Sequence, residues 1–359
     1  MTSSLIFQAQ SSSGIRADVR DGNEHGGAPA ENRVTTFGVV VIGRNEGDRL
    51  KRCLDSVQGL SDHRVVYVDS GSTDDSIAVA RARTAEVVEL DLRRPFTAGR
   101  ARNEGFQKLI QTQPSLDYVF FVDGDCEIVP GWLDKARQFL DQHRDVAVIS
   151  GLRRERHPEK SIYNLLIDME WRGYPFGETK ICGGDALMRV SAIREVGGYR
   201  ADMICGEEPE MCVRLRKTGW RIWRVNEAMA LHDAAMYHFG QWWKRQVRAG
   251  YAFAQGASLH GAPPERHGVL ESSRAWFWGL GVPLMIVILA ATWSAWFLAL
   301  FAVYPLQLIR LALMGKSSAR ENWLRSAALV LGKFPEMTGQ VKFLADRIRG
   351  EQSQLIEYK

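Results

Sequence analysis

The sequence predicts an α/β fold, a mostly parallel sheet flanked by helices, followed by an apolar appendage. Two observations carry the first part. Between residues 37 and 151, five short β-branched apolar runs alternate with segments whose apolar residues recur at helical spacing. Those runs are apolar on both alternations, as strands covered on both faces must be. The third observation is late in the chain: from Ala275 to Ile309 there is no charged residue.

Residues 1–32 are rich in Ser, Gly and charge and are expected to form a disordered leader. Order is expected from 33 to 256, in a regularly alternating first half (33–151) and a less regular second half (152–256). "FGVVVIG" (37–43) reads as the first strand, and "EGDRLKRCLDSV" as a helix with Leu50, Leu54 and Val57 in one stripe. "RVVYVDS", "AEVVEL", "DYVFFVD" and "VAVISG" read as further strands. "DDSIAVARAR", "AGRARNEGFQKLIQ" and "PGWLDKARQFLDQH" read as the helices between them. Beyond 152, "ICGGDALMRVSAIREVGGY" suggests a strand and a short helix. "GEEPEMCVRLRKTGWRIWRV" suggests a helix from Pro209 to about Thr218, stopped by Gly219, and then a strand. "MYHFGQWWKRQVRAGYAFAQG" reads as a basic, aromatic helix.

After a linker (257–274), the uncharged run exceeds the roughly 20 residues of one crossing. It predicts a membrane hairpin over 275–314, turning near Thr292-Trp293-Ser294. Arg274 precedes it; Arg310, Lys316, Arg320 and Arg325 follow, which places both ends on the cytoplasmic side of a cell membrane. The tail, 315–359, reads as basic amphipathic interfacial helices.

Composition is that of a globular protein, with 45% apolar residues and a net charge of +4, which gives no reason to expect a nucleic-acid partner. Five scattered cysteines without C-x-x-C spacing read as buried thiols, not as a disulfide or zinc framework.

In parallel sheets ligands bind beyond the carboxyl ends of the strands. Three acid-bearing loops fall there: Arg44-Asn45-Glu46, Asp69-Ser70-Gly71 and Asp123-Gly124-Asp125. An Asp-Gly turn needs one acid. A second, at i+2, suits a hard cation held by one or two carboxylates and completed by water and phosphate. Asp69 reads equally as a contact to base or ribose and as a turn former, while Ser72, Thr73 and Asp74 read as helix caps. Arg100 and Arg102 oppose the dipole of the helix they start, which points either to an anionic partner such as a diphosphate or to a solvated basic face. The acids of "GEEPEMC" complement a helix dipole or supply a general base. His232 reads as a metal ligand, a phosphate contact or a core histidine. Trp242 and Trp243 read as sugar-stacking, headgroup-level or core residues.

Taken in order, "VIGRNEGDRLKRCLDSV", "VDSGSTDDS", "ARNEGF", "FFVDGDCEIVPGWL", "CGGDALMRVSAIREVGGY" and "GEEPEMCVRLRKTGW" resemble the inverting family 2 glycosyltransferases of GT-A fold, from about Val39 to Gly256. The resemblance implies transfer of one sugar from a nucleotide-diphosphate sugar, UDP-linked by preference, to a hydroxyl acceptor; the membrane hairpin makes a lipid-linked saccharide in cell-surface polysaccharide assembly the expected acceptor. It implies Glu208 as base. Asn45, Glu46, Asp69, Arg100, Arg102, Asn103, Asp123, Gly124, Gly184 and Asp185 would contact the nucleotide sugar. Asp123, Asp125 and His232 would bind a divalent metal, Mn or Mg. Three departures stand out. The usual Glu-Asp pair is Glu207-Glu208, Gly43 stands before Arg44-Asn45 where proline is commoner, and "FGQWWKRQ" only loosely echoes the Q-x-x-R-W motif of polymerising members. A sugar-1-phosphate nucleotidylyltransferase would need a Gly-rich phosphate loop that "GRNEGDRL" does not form. A non-catalytic membrane-attached nucleotide-sugar scaffold or sensor is the remaining alternative.

Overall fold

A computed structural model describes residues 35–58, 65–83 and 86–350; the expected leader lies outside them. The predicted alternation is present: β1 (Phe37–Gly43), α1 (Asp48–Gln58), β2 (Val65–Asp69), α2 (Ser76–Ala82), β3 (Glu86–Glu89), α3 (Ala98–Thr112), β4 (Tyr118–Asp123), β5 (Cys126–Ile128), α4 (Trp132–Gln142) and β6 (Val146–Glu155). The second half adds α5 (Ile162–Arg172), β7 (Gly177–Thr179), β8 (Ala186–Arg189), α6 (Val190–Val196), α7 (Glu207–Lys217), β9 (Arg221–His232) and α8 (Phe239–His260).

The strands form one sheet in the order β3-β2-β1-β4-β8-β6-β9-β5, with β7 on β9. The βα units make β3-β2-β1-β4 parallel. The second half breaks that pattern, because β8 runs antiparallel between β4 and β6 and β5 runs antiparallel to β9. Two cores fill the two faces, one around Leu50, Tyr67, Phe120 and Trp132, the other around Val68, Phe106, Phe121 and Met211. Gly38 and Gly105 keep α3 against the sheet: a Cβ on Gly38 would lie 2.6 Å from Leu109.

This register brings distant segments together. Residue 123 ends β4, and β5 leaves two residues later to pair with the last residues of β9, Cys126 opposite His232. β6 runs parallel to β9 and sets Glu155 beside His232.

The linker is shorter than expected. α8 continues to His260, and α9 (Val269–Trp276) starts before the uncharged run and continues through a π-helical turn into α10 (Val282–Thr292). Two helical stretches, Val269–Thr292 and Ala295–Leu313, are long and apolar enough to cross a membrane, and they meet at the predicted turn. The second ends in α11 (Val303–Leu313). The tail is not a free interfacial segment. Of its helices α12 (Ala319–Leu331) and α13 (Lys333–Arg349), α13 docks on α8 so closely that a Cβ on Gly250 would overlap the Glu336 carbonyl, and one on Gly339 that of Val247. All five cysteines are buried free thiols.

Candidate active site

Five buried carboxylates converge at the ends of β4 and β8 and the start of α7: Asp123, Asp125, Asp185, Glu207 and Glu208. Their arrangement follows from the turn. Gly124 N–H donates to Ile42 O (2.8 Å), folding the chain back after β4, and Asp123 N–H donates to Asp185 Oδ1 (3.0 Å). Gly184 is required where it stands: a Cβ there would lie 2.6 Å from both Arg102 Nη2 and Asp123 Oδ2.

Two buried arginines hold the cluster. Arg102, from α3, reaches Asp123 Oδ1 (2.9 Å), Glu207 Oε1 (2.7 Å) and Glu208 Oε1 (3.0 Å). Arg153, from β6, faces Asp185 (3.2 Å), Asp123 (3.7 Å) and Asp125 (3.9 Å). Buried charge is tolerated only when paired, and five acids against two guanidiniums leave an excess of negative charge. Burial pushes the Asp185 carboxyl above the usual range despite Arg153, and burial with repulsion from Glu208 does the same to Glu207.

His232 borders this cluster. Its Nδ1 lies 2.8 Å from Glu155 Oε2, and its Nε2, which makes no hydrogen bond, lies 3.5 Å from Asp125 Oδ2. Burial presses the imidazole pKa down, but the neighbouring carboxylates of Asp125 and Glu155 outweigh it and leave the pKa raised. Glu155 backs Nδ1, so Nε2 is the ring nitrogen that faces Asp125; on losing its proton it would be the ligating atom of a histidine backed by a carboxylate. A buried, hydrogen-bond-free imidazole nitrogen beside a carboxylate, in a cluster short of positive charge, fits a divalent cation. Among the described residues no group of three or more His, Cys, Asp or Glu forms a ready cage. Asp125 and His232 would therefore hold such an ion with help from phosphate and water.

Residues 38–197 match the family described as glycosyl transferase family 2. That stretch is a glycosyl transferase family 2 domain. The chain is 30% identical over 219 residues to the pre-mycofactocin glycosyltransferases of Mycobacterium tuberculosis strains CDC 1551 and H37Rv, a match that takes in 57% of this chain and 43% of theirs. The chain thus spans less than half of those relatives. In fold it is similar to the mannosyltransferase PcManGT from Pyrobaculum calidifontis, solved with GDP-Man and Mn2+, at a TM-score of 0.60 and 20% identity, covering 89% of this chain and 90% of that one. The fold is thereby GT-A.

Asp123, expected on the metal, lies in the cluster, where its Oδ1 accepts from Arg102 Nη2. Not every other residue expected at the site faces the cluster. Arg100 is not free for a diphosphate: its Nη1 donates to the carbonyls of Asp91 (3.0 Å) and Arg94 (3.0 Å), because burial leaves it no water. Asn103 ties α3 to the loop after α6 through Tyr199, donating to its carbonyl (2.7 Å) and accepting from its N–H (2.9 Å). Asp69 is a turn former here, accepting from Tyr67 Oη (3.0 Å), Gly71 N (2.8 Å) and Ser72 N (2.7 Å). Asn45, at φ 54°, accepts from Thr73 N (2.7 Å), and Glu46 pairs with Arg49 (2.9 Å). Trp242 is a core residue.

The cluster also includes two charged residues that sequence reasoning missed, Arg153 and Glu155. "VAVISG" was expected to end at Gly151, since "LRRER" is charged. Yet Arg153 and Glu155 are buried while Leu152 and Arg154 are half-exposed, so a period of two was present to be read.

Proposed function

We propose that the protein transfers one sugar from a nucleoside diphosphate sugar to a hydroxyl acceptor with inversion. The observation that carries the reading is the pairing of Asp125 with His232 Nε2, at 3.5 Å, in the same buried cluster as Glu208. A bound divalent cation would neutralise charge on the departing diphosphate; the mannosyltransferase of similar fold is named with Mn2+ and GDP-Man. Glu208 takes the proton of the acceptor hydroxyl. The acceptor oxygen bonds to the anomeric carbon from the face opposite the leaving group, and the bond to the diphosphate oxygen breaks. Arg102 pairs with both Asp123 and Glu208 and so ties the proposed base to the end of β4.

Two helices apolar enough to enter a bilayer support a lipid-linked acceptor, and the flanking basic residues support a cytoplasmic catalytic domain. One observation favours the alternative, a nucleotide-sugar-binding scaffold: Glu208 is fully buried and engaged by Arg102. Turnover of Glu208→Gln separates the two readings.

The test is a thermal-shift panel on detergent-solubilised protein with UDP-, GDP- and dTDP-sugars, each with and without Mn2+, on wild type and Asp125→Asn. A native-state ligand at a hundredfold excess over Kd adds about 2.7 kcal/mol. A metal-dependent shift for one nucleotide, lost in Asp125→Asn, is expected. Folded protein that responds to no nucleotide overturns the reading.

A further inference from the structure

Next to the carboxylate cluster, between β6, α5 and the loop before β8, lies a narrow cleft, open to solvent, whose lining includes Arg153, Trp171, Tyr174, Cys182, Gly183 and Asp185. It is continuous with the proposed diphosphate site, because Asp185 accepts from the backbone of Asp123. Three of its groups are buried with hydrogen-bonding capacity left over. None of the three guanidinium nitrogens of Arg153, 2% exposed, makes a hydrogen bond. The same holds for Trp171 Nε1 and for Asp185 Oδ2, which faces the guanidinium of Arg153 at 3.2 Å.

Buried polar atoms without partners are rare, and each calls for an explanation. Two donors and an acceptor beside the walls of Trp171 and Tyr174, whose rings are 5.9 Å apart, present the mixture that a polyhydroxylated ring satisfies. The Arg153 guanidinium lies 4.6 Å from the centre of the Trp171 ring, so the two donors are positioned by each other. Gly183 keeps the indole in place, since a Cβ there would lie 3.2 Å from the ring.

We propose that Trp171 and Arg153 form the subsite that selects the sugar of the donor, with Trp171 Nε1–H and the Arg153 guanidinium donating to its hydroxyls. This rests on the transferase reading above. Aromatic wall and guanidinium hold the ring so that its anomeric carbon faces the acidic cluster.

The experiment compares a nucleoside diphosphate with its sugar conjugate, UDP against UDP-glucose and GDP against GDP-mannose, by titration calorimetry of the full chain in detergent with Mn2+. Trp171→Phe keeps the ring and deletes the donor. It is expected to leave the Kd of the nucleoside diphosphate within twofold and to weaken the conjugate by about three- to tenfold, the effect of one neutral hydrogen bond. Gly183→Ala, whose methyl crowds the indole at 3.2 Å, is expected to produce the same selective loss and serves if Trp171→Phe does not fold. Equal affinities of wild type and variant for the conjugate, with diphosphate binding intact, overturn the subsite and leave the transferase reading standing. Wild type that binds neither diphosphate nor conjugate overturns both.

Discussion

Arg102 Nη2 lies 3.0 Å from Glu208 Oε1, and both side chains are out of water. The same guanidinium serves Asp123 and Glu207, so three acids share one cation. Breaking a buried pair costs about 3–5 kcal/mol because the partner charge is left behind. Arg102→Met is expected to lose at least that much stability, and Arg102→Lys less, by urea unfolding. Equal stabilities of Arg102→Met and wild type would show that the acids are neutral.

Glu208→Gln keeps the shape of the side chain and removes the base. Its kcat is expected to fall by about 10²–10⁴, with donor affinity in the thermal-shift assay preserved. Unchanged turnover would assign the base elsewhere.

Glu155 orients His232 and touches no proposed ligand of the metal except through it. Its other oxygen accepts from Ala234 N–H at 3.1 Å, so the carboxylate is itself fixed. Glu155→Gln is expected to weaken Mn2+ binding by about 10–100-fold, measured by paramagnetic resonance of free Mn2+, with little change in the unfolding midpoint of the metal-free protein. An unchanged Mn2+ affinity would separate His232 from the metal.

Gly184→Ala places a methyl 2.6 Å from Arg102 Nη2 and Asp123 Oδ2. Activity is expected to be lost while the fold, read by circular dichroism, survives, because the flexible Arg102 side chain moves more easily than the sheet. Full activity in this variant would mean that the Arg102–Asp123 pair is dispensable.

Stability carries a specific acid dependence. Burial, then repulsion from His260 and Arg216, depresses the His267 pKa to about 4, against about 6.5 unfolded. The unfolded chain therefore binds the proton first. The contribution, about 2–3 kcal/mol, is complete above pH 6.5 and is lost as pH falls toward 4. His267→Gln should flatten the stability curve across that window; an identical slope in wild type and variant would place the titrating group elsewhere.

The strands of the first half were legible because each is buried on both faces and ends at a loop with its own turn chemistry. The hairpin turn at Trp293 was legible for a similar reason, an uncharged run too long for one crossing. What composition hides is pairing across distance. Arg153 and Glu155 extend β6 because β9 runs beside them, a partner nearly eighty residues away in register (Glu155 with His232). Arg100 looked as available as Arg102 from its place in the helix; only the fold shows one turned to loop carbonyls and the other to the acids. The docking of α13 was hidden too, since Gly250 and Gly339 carry no side chain to form an apolar pattern.

That glycine contact has a geometric consequence. With α8 and α13 touching backbone to backbone, and a Cβ on Gly279 set to collide with Met337 at 2.7 Å, the tail clasps both the catalytic domain and the start of the apolar hairpin. The acidic cluster would then stand at a set height over any bilayer the hairpin enters. The clasp would work as a ruler: an acceptor would be chosen by how far its hydroxyl projects from the lipid surface as well as by its chemistry.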